Sequence, residues 1–197
     1  MGKRRLETAL EQFKKLYPDA APPAVRWLPF QLNPDLPSEG ISRADYIMRK
    51  FGPVGNAKYN SVAMVGKSVG LDMAFDKITV QPNTVNAHRL LHRAGELGKQ
   101  DEVAEALFRA YFIEGANLTD TKVLADYAGE AGLPRDEILA YLDSDADVNV
   151  ISAADAEARQ VGIGGVPFFI FNRKVGVSGA QEPEALVQAM QQALGSE

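Results

Sequence analysis

Three groups of residues in this chain have types and spacings that can do chemistry, and one residue type is missing altogether. His88 and His92 stand four positions apart, with Glu96 a further four on. On a helix they share one face, a spacing able to hold a divalent metal. No further strong ligand accompanies them, and flanking Arg89 and Arg93 oppose a cation. They read instead as polar, half-buried helix residues. Asp143, Asp145 and Asp147 alternate as in a calcium loop, but the glycine and the distal glutamate are absent. A solvated loop at a helix end is the reading there, so no metal site is expected. Gly164-Gly165-Val166-Pro167 is a backbone device: two permissive glycines, then an X-Pro bond of the kind that adopts cis. The missing type is cysteine. Its absence from the 197 residues excludes disulfides, thiolate metal ligands and cysteine nucleophiles in this chain.

The elements around that loop are legible. Phe168, Phe169, Ile170 and Phe171 form a continuous apolar run, the pattern of a strand buried on both faces. Asn172-Arg173-Lys174 closes a hairpin into Val175–Val177. Pro183 opens a last helix with Leu186, Ala189, Met190 and Ala193 inward. At the other end, Leu6, Ala9, Leu10, Phe13 and Leu16 make a helical stripe over Lys3 to Tyr17. That helix begins oddly, because Lys3, Arg4 and Arg5 crowd the end where the macrodipole disfavours cations. Val25 to Leu32 reads as a strand, with Pro29 placing it at an edge or a bulge. Trp27 and Phe30 suit packing better than a ligand cleft.

Residues 38 to about 160 read as a run of about six helices. Ser42, Asn83 or Thr84, and Asp120 are their expected caps. Ser152 with Asp155 three positions on reads as a capping box. The order helix, strand, helical block, two strands, helix implies an α/β fold. Its core, residues 1–37 and 160–197, is interrupted by an all-α insertion domain at 38–159. The formal net charge of -5 argues against nucleic acid as a partner. No apolar run reaches membrane-span length and no signal peptide opens the chain, so no membrane is expected and a cytoplasmic location is the default.

GVPFF followed by a hairpin and a helix resembles the cis-proline loop of the thioredoxin fold. More narrowly, GIGGVPFFIFNRKVGVSGAQ, WLPFQLNP, PNTVNAHRLLHRA and EALFRAYFIEG resemble DsbA-like proteins of the FrnE type. Those are thiol-disulfide oxidoreductases related to 2-hydroxychromene-2-carboxylate isomerases and kappa-class glutathione transferases. The resemblance implies a thioredoxin-like core and a thiol or disulfide peptide, protein or small thiol as substrate. It also implies a binding role for Gly165, Val166 and Pro167, with Asn83 and His88 as cleft contacts. In that group a first strand leads to a Cys-x-x-Cys motif, closely followed by a segment like Gly2-Lys3-Arg4-Arg5. The chain is therefore expected to be a shortened relative, without its first strand and dithiol, and redox-inactive as it stands. No residue of this chain is then catalytic. Loss of a central strand leaves open edges, from which a homodimer or a rearranged sheet is expected. No cofactor is implied beyond glutathione as an alternative ligand. Against glutathione, Val177-Ser178-Gly179-Ala180-Gln181 lacks the acidic–basic pair that its binders carry after the glycine.

Overall fold

The structure, a computed structural model, describes residues 1–195, and the backbone alone at 54 and 56. It divides into two compact units, Met1–Val25 with Arg159–Glu197, and Arg26–Ala158. Within the first unit, helices α1 (Gly2–Leu16) and α9 (Pro183–Gly195) pack with a hairpin of β3 (Phe168–Phe171) and β4 (Val175–Ser178). Leu6, Ala9 and Phe13 of α1 meet Leu186, Val187 and Met190 of α9, with Phe169, Phe171 and Val177 against them. Leu16, at the end of the predicted stripe, is exposed.

The hairpin is antiparallel, with Phe168 opposite Ser178 and Phe171 opposite Val175. Asn172 and Arg173 both have left-handed φ, +49° and +58°, which matches the twist of a tight hairpin. Asn172 Nδ2 donates to the Ala193 carbonyl at 3.2 Å, tying the turn to α9. β3 is not covered on both faces as its composition suggested. Phe169 and Phe171 point at the helices, while Ile170 is 48% exposed. Alternation along the strand gives one face to the helices and the other to solvent. Among the described residues β3 pairs with β4 only.

The second unit is the helical one. Its elements are α2 (Arg43–Phe51), α3 (Gly55–Ser68), α4 (Val85–Glu96), α5 (Gln100–Arg109), α6 (Thr121–Glu130), α7 (Arg135–Leu142) and α8 (Val148–Gln160). A two-residue ladder joins β1 (Ile41–Ser42) to β2 (Val80–Gln81). Leu90, Val103, Leu124 and Ile138 lie at the centre of its core. One turn of π-helix, Ala110–Glu114, follows α5. It ends at Gly115, whose φ of +75° lets it lie against the Lys77 backbone, where a Cβ would come within 2.6 Å of that carbonyl oxygen.

Two expectations are corrected here. Val25 to Leu32 is not a strand, because no neighbouring strand offers it a ladder. Side chains take the ladder's place. Gln100 accepts from Trp27 N at 2.9 Å and donates to Trp27 O at 3.0 Å, and Asp155 accepts from Gln31 N at 2.6 Å. These bonds draw the segment to the helices, and Arg26 is the first residue of the second unit. Nor do Ser152 and Asp155 form a capping box. Both lie inside α8, where Ser152 Oγ bonds back to the Val148 carbonyl and Asp155 is buried.

Of the expected caps, Asp120 accepts from Lys122 N at 2.9 Å. Asn83 Oδ1 accepts from Val85 N at 3.0 Å. Ser42 and Thr84 stand at N-cap positions without a side-chain cap bond.

Candidate functional site

The hairpin fixes the loop before it. Gly179 N donates to the Pro167 carbonyl at 2.8 Å, one rung beyond the Phe168–Ser178 pair. The Val166–Pro167 peptide bond is cis. Val166 itself is 50% exposed, and its backbone makes no hydrogen bond with the described residues. Among the described residues a donor and an acceptor therefore stand open at the entrance to β3, next to a strand edge that is also unpaired. Gly164 and Gly165 have no left-handed φ, and a Cβ added to either meets nothing within 4 Å. The two glycines are not demanded by local sterics. What they leave is open space beside Val166.

The start of α1 lies against this loop. A Cβ on Gly2 would fall 2.8 Å from Pro167 Cγ and 3.0 Å from Pro167 Cβ, so only glycine fits without displacing the ring. The first-turn N–H groups have no intrahelical acceptors and carry the positive end of the helix dipole. Lys3, Arg4 and Arg5 add to that field, and no acidic residue lies in the first turn. Glu7 pairs with Lys3 and Arg4, while Arg5 Nη2 reaches Glu182 at 2.6 Å and Arg5 Nη1 bonds the Ala180 carbonyl. These pairings answer how a helix tolerates three cations at its start. The start of α1 beside Pro167 thus combines a helix N-terminus with three cations, each paired to Glu7 or Glu182.

Asn83 and His88 belong to the helical unit. The Asn83 amide is used at both ends, donating to the Leu36 carbonyl at 2.7 Å and accepting from Val85 N. Burial holds the His88 pKa below its ordinary value, partly offset by a hydrogen bond to the Phe30 backbone and by the Asp155 carboxylate. Both residues thus anchor the 30–36 segment. His92 Nε2 is 4.0 Å from Glu96, and Arg93 bonds the same carboxylate at 2.6 Å. Asp143 accepts from Thr121 and Asp147 from Tyr141, so these carboxylates address separate partners. Among the described residues no group of three His, Asp or Glu is placed to hold a metal ion.

Trp27 lies edge-on to Phe108 at 5.7 Å with Nε1 donating to Asp101 at 3.1 Å, a packing role. Nothing in the sequence signals the roles of Gln100, Arg43 and Arg89, and Asp155 reads there as half of a capping box. All are polar types whose sequence context reads as surface, and only the tertiary fold buries or engages them. Among the described residues no helix is long and apolar enough to cross a membrane.

Comparison with known proteins agrees with this geometry. A probable DsbA oxidoreductase from Streptomyces coelicolor superposes with a TM-score of 0.87 at 31% identity, over 100% of this chain and 84% of that one. A putative protein disulfide isomerase from Nitrosomonas europaea shares the fold, with a TM-score of 0.68 at 17% identity over 98% and 91% of the two chains. The uncharacterised Bacillus subtilis protein YwbO is 26% identical over 167 residues, 84% of this chain and 80% of its own length. Residues 1–191 match the DSBA-like thioredoxin domain. With that match over nearly its whole length, and a thioredoxin-type hairpin with a helical insertion, this chain belongs to the DsbA-like thioredoxin family.

Proposed function

We propose that this polypeptide binds the extended chain of a thiol- or disulfide-bearing peptide at Gly165-Val166-Pro167, as a FrnE-type member of its family, without itself exchanging disulfides. The observation that carries this reading is Val166, whose N–H and C=O stand open while Pro167 is fixed between the hairpin and Gly2. An extended segment beside Val166 gains paired backbone bonds, the mode by which strand edges capture peptides. A thiolate in that segment lies beside the N-terminus of α1, the positive end of the helix dipole. Exchange needs an attacking thiolate, and these residues contain no cysteine. Self-association through the free edge of β3 belongs to the same proposal, and light scattering reads it directly.

The test is calorimetric titration with a peptide in its dithiol and disulfide forms, with glutathione as a third ligand, alongside a thiol-exchange assay. Binding of the peptides with no turnover is expected. Binding of glutathione in preference to either peptide moves the assignment to a small-thiol binder, and turnover by this polypeptide overturns it.

A further inference from the structure

The helical unit holds a second feature that the peptide-binding reading does not use. Arg43, the first residue of α2, is 7% exposed, yet no carboxylate lies within ion-pair distance of it among the described residues. A guanidinium this deeply buried ordinarily has a charged partner, because its desolvation is otherwise uncompensated. Arg89 shows the alternative solution in the same unit, with five neutral acceptors around one guanidinium. Arg43 has one. Its Nη1 donates to Gln81 Oε1, its Nε is buried without a partner, and Nη2 makes no hydrogen bond with the described residues.

The surroundings define which part of the group is available. The guanidinium carbon lies 4.4 Å from the Tyr59 ring centroid and 5.5 Å from that of Tyr46. Those rings occupy its surroundings through cation–π contact, a geometry that leaves edges for hydrogen bonding. One edge is used by Gln81. The remaining one, Nε with Nη2, is the side-on fork that matches the two oxygens of a carboxylate. Tyr111 does not supply the missing charge, since burial pushes its hydroxyl up to about 12. Lys50 Nζ donates to Tyr46 OH at 2.7 Å, adding a second positive group on this side of α2.

We propose that the Nε–Nη2 edge of Arg43 is a binding site for the carboxylate of a small molecule whose apolar part lies among Tyr46, Tyr59 and Tyr111. Two parallel charge-assisted bonds complete the guanidinium, and the aromatic rings receive the remainder of the ligand. The site is built wholly within Arg26–Ala158 and stands or falls independently of the Val166 loop.

The test uses the full chain with isotope-labelled arginine side chains, titrated with benzoate and with its neutral isostere benzamide, and followed by NMR at the Arg43 Nε–H signal. A saturable shift with benzoate and none with benzamide is expected. Arg43→Met should then weaken benzoate binding roughly ten- to a hundred-fold, the loss for one charge-assisted pair. An unmoved Arg43 signal, or equal shifts with both probes, overturns the proposal. Should Arg43→Met not fold, the wild-type Nε–H signal still decides between these outcomes.

Discussion

Arg89 is buried in the helical unit with five hydrogen bonds on one guanidinium, and replacing it has a calculable effect. Its Nε donates to the Ala146 carbonyl at 2.7 Å. Nη1 donates to Asn86 Oδ1 at 2.8 Å and to Leu142 O at 3.0 Å, and Nη2 to Tyr141 O at 2.8 Å and Ser144 O at 2.7 Å. Three of these carbonyls lie at or just beyond the end of α7 and a fourth, Ala146, follows, with Tyr141 O also accepting from Ser144 N and Oγ. The residue is 1% exposed, so neither water nor another donor replaces it freely. Bonds to a charged group are worth about 1.5–3 kcal/mol each in isolation, but here five share one charge and are not additive. Removing the guanidinium leaves neutral acceptors without their donor, at about 1–3 kcal/mol for each one left buried and unpaired, a large part of the roughly 5–15 kcal/mol that stabilises a domain. Arg89→Met should therefore destabilise this unit by about 4 kcal/mol. Arg89→Lys, with three donors in place of five, should cost about 2 kcal/mol. Urea unfolding followed by Trp27 fluorescence is the assay, since the single tryptophan lies in the same unit. Two units need not unfold together, so far-UV circular dichroism should accompany it to expose a second transition. A midpoint for Arg89→Lys within about 0.5 kcal/mol of wild type would refute the reasoning.

Two further outcomes follow from the segment that replaces the expected strand. Asp155→Ala leaves Gln31 N–H buried without its acceptor and should cost about 2 kcal/mol, while Asp155→Asn, which keeps an oxygen there, should cost less. Limited proteolysis within 26–32 should be faster in the alanine variant, and equal rates would show that the bond is not what holds the segment. His88 titrates below the ordinary histidine value of about 6.5 because burial disfavours its charged form. Below that pH the unfolded chain takes up a proton that the folded chain resists, so stability is complete above about 6.5 and declines as pH falls, by up to about 1.4 kcal/mol per unit. Urea midpoints measured from about pH 7 to about pH 5 should fall more steeply for wild type than for His88→Gln. Parallel slopes would remove His88 as the cause.

What the sequence disclosed and what it withheld divide along physical lines. The apolar run Phe168–Phe171, the turn at Asn172-Arg173 and the stripe Leu6, Ala9 and Phe13 are local patterns, and the structure contains them. Asp120 caps its helix because capping needs only neighbouring residues. Val25 to Leu32 reads as a strand because propensity does not reveal whether a partner strand is present. Asp155 reads as a helix-start signal because spacing cannot tell a cap from a buried acceptor 124 positions away from its donor. Arg89 reads as a charge beside a histidine, and nothing in its neighbourhood shows that the carbonyls of α7 surround it. At the candidate site the loop itself was legible in Gly165-Val166-Pro167, whereas the contact of Gly2 with Pro167 joins residues 165 positions apart and comes only from the fold.

The most direct test of the functional account is amide NMR of the whole chain titrated with an extended disulfide-bearing peptide, read at Val166. Binding through the open backbone groups should shift the Val166 amide strongly and leave the peptide's redox state unchanged. A Val166 amide unmoved while the peptide binds elsewhere, or conversion of the peptide between disulfide and dithiol by this polypeptide, would contradict it.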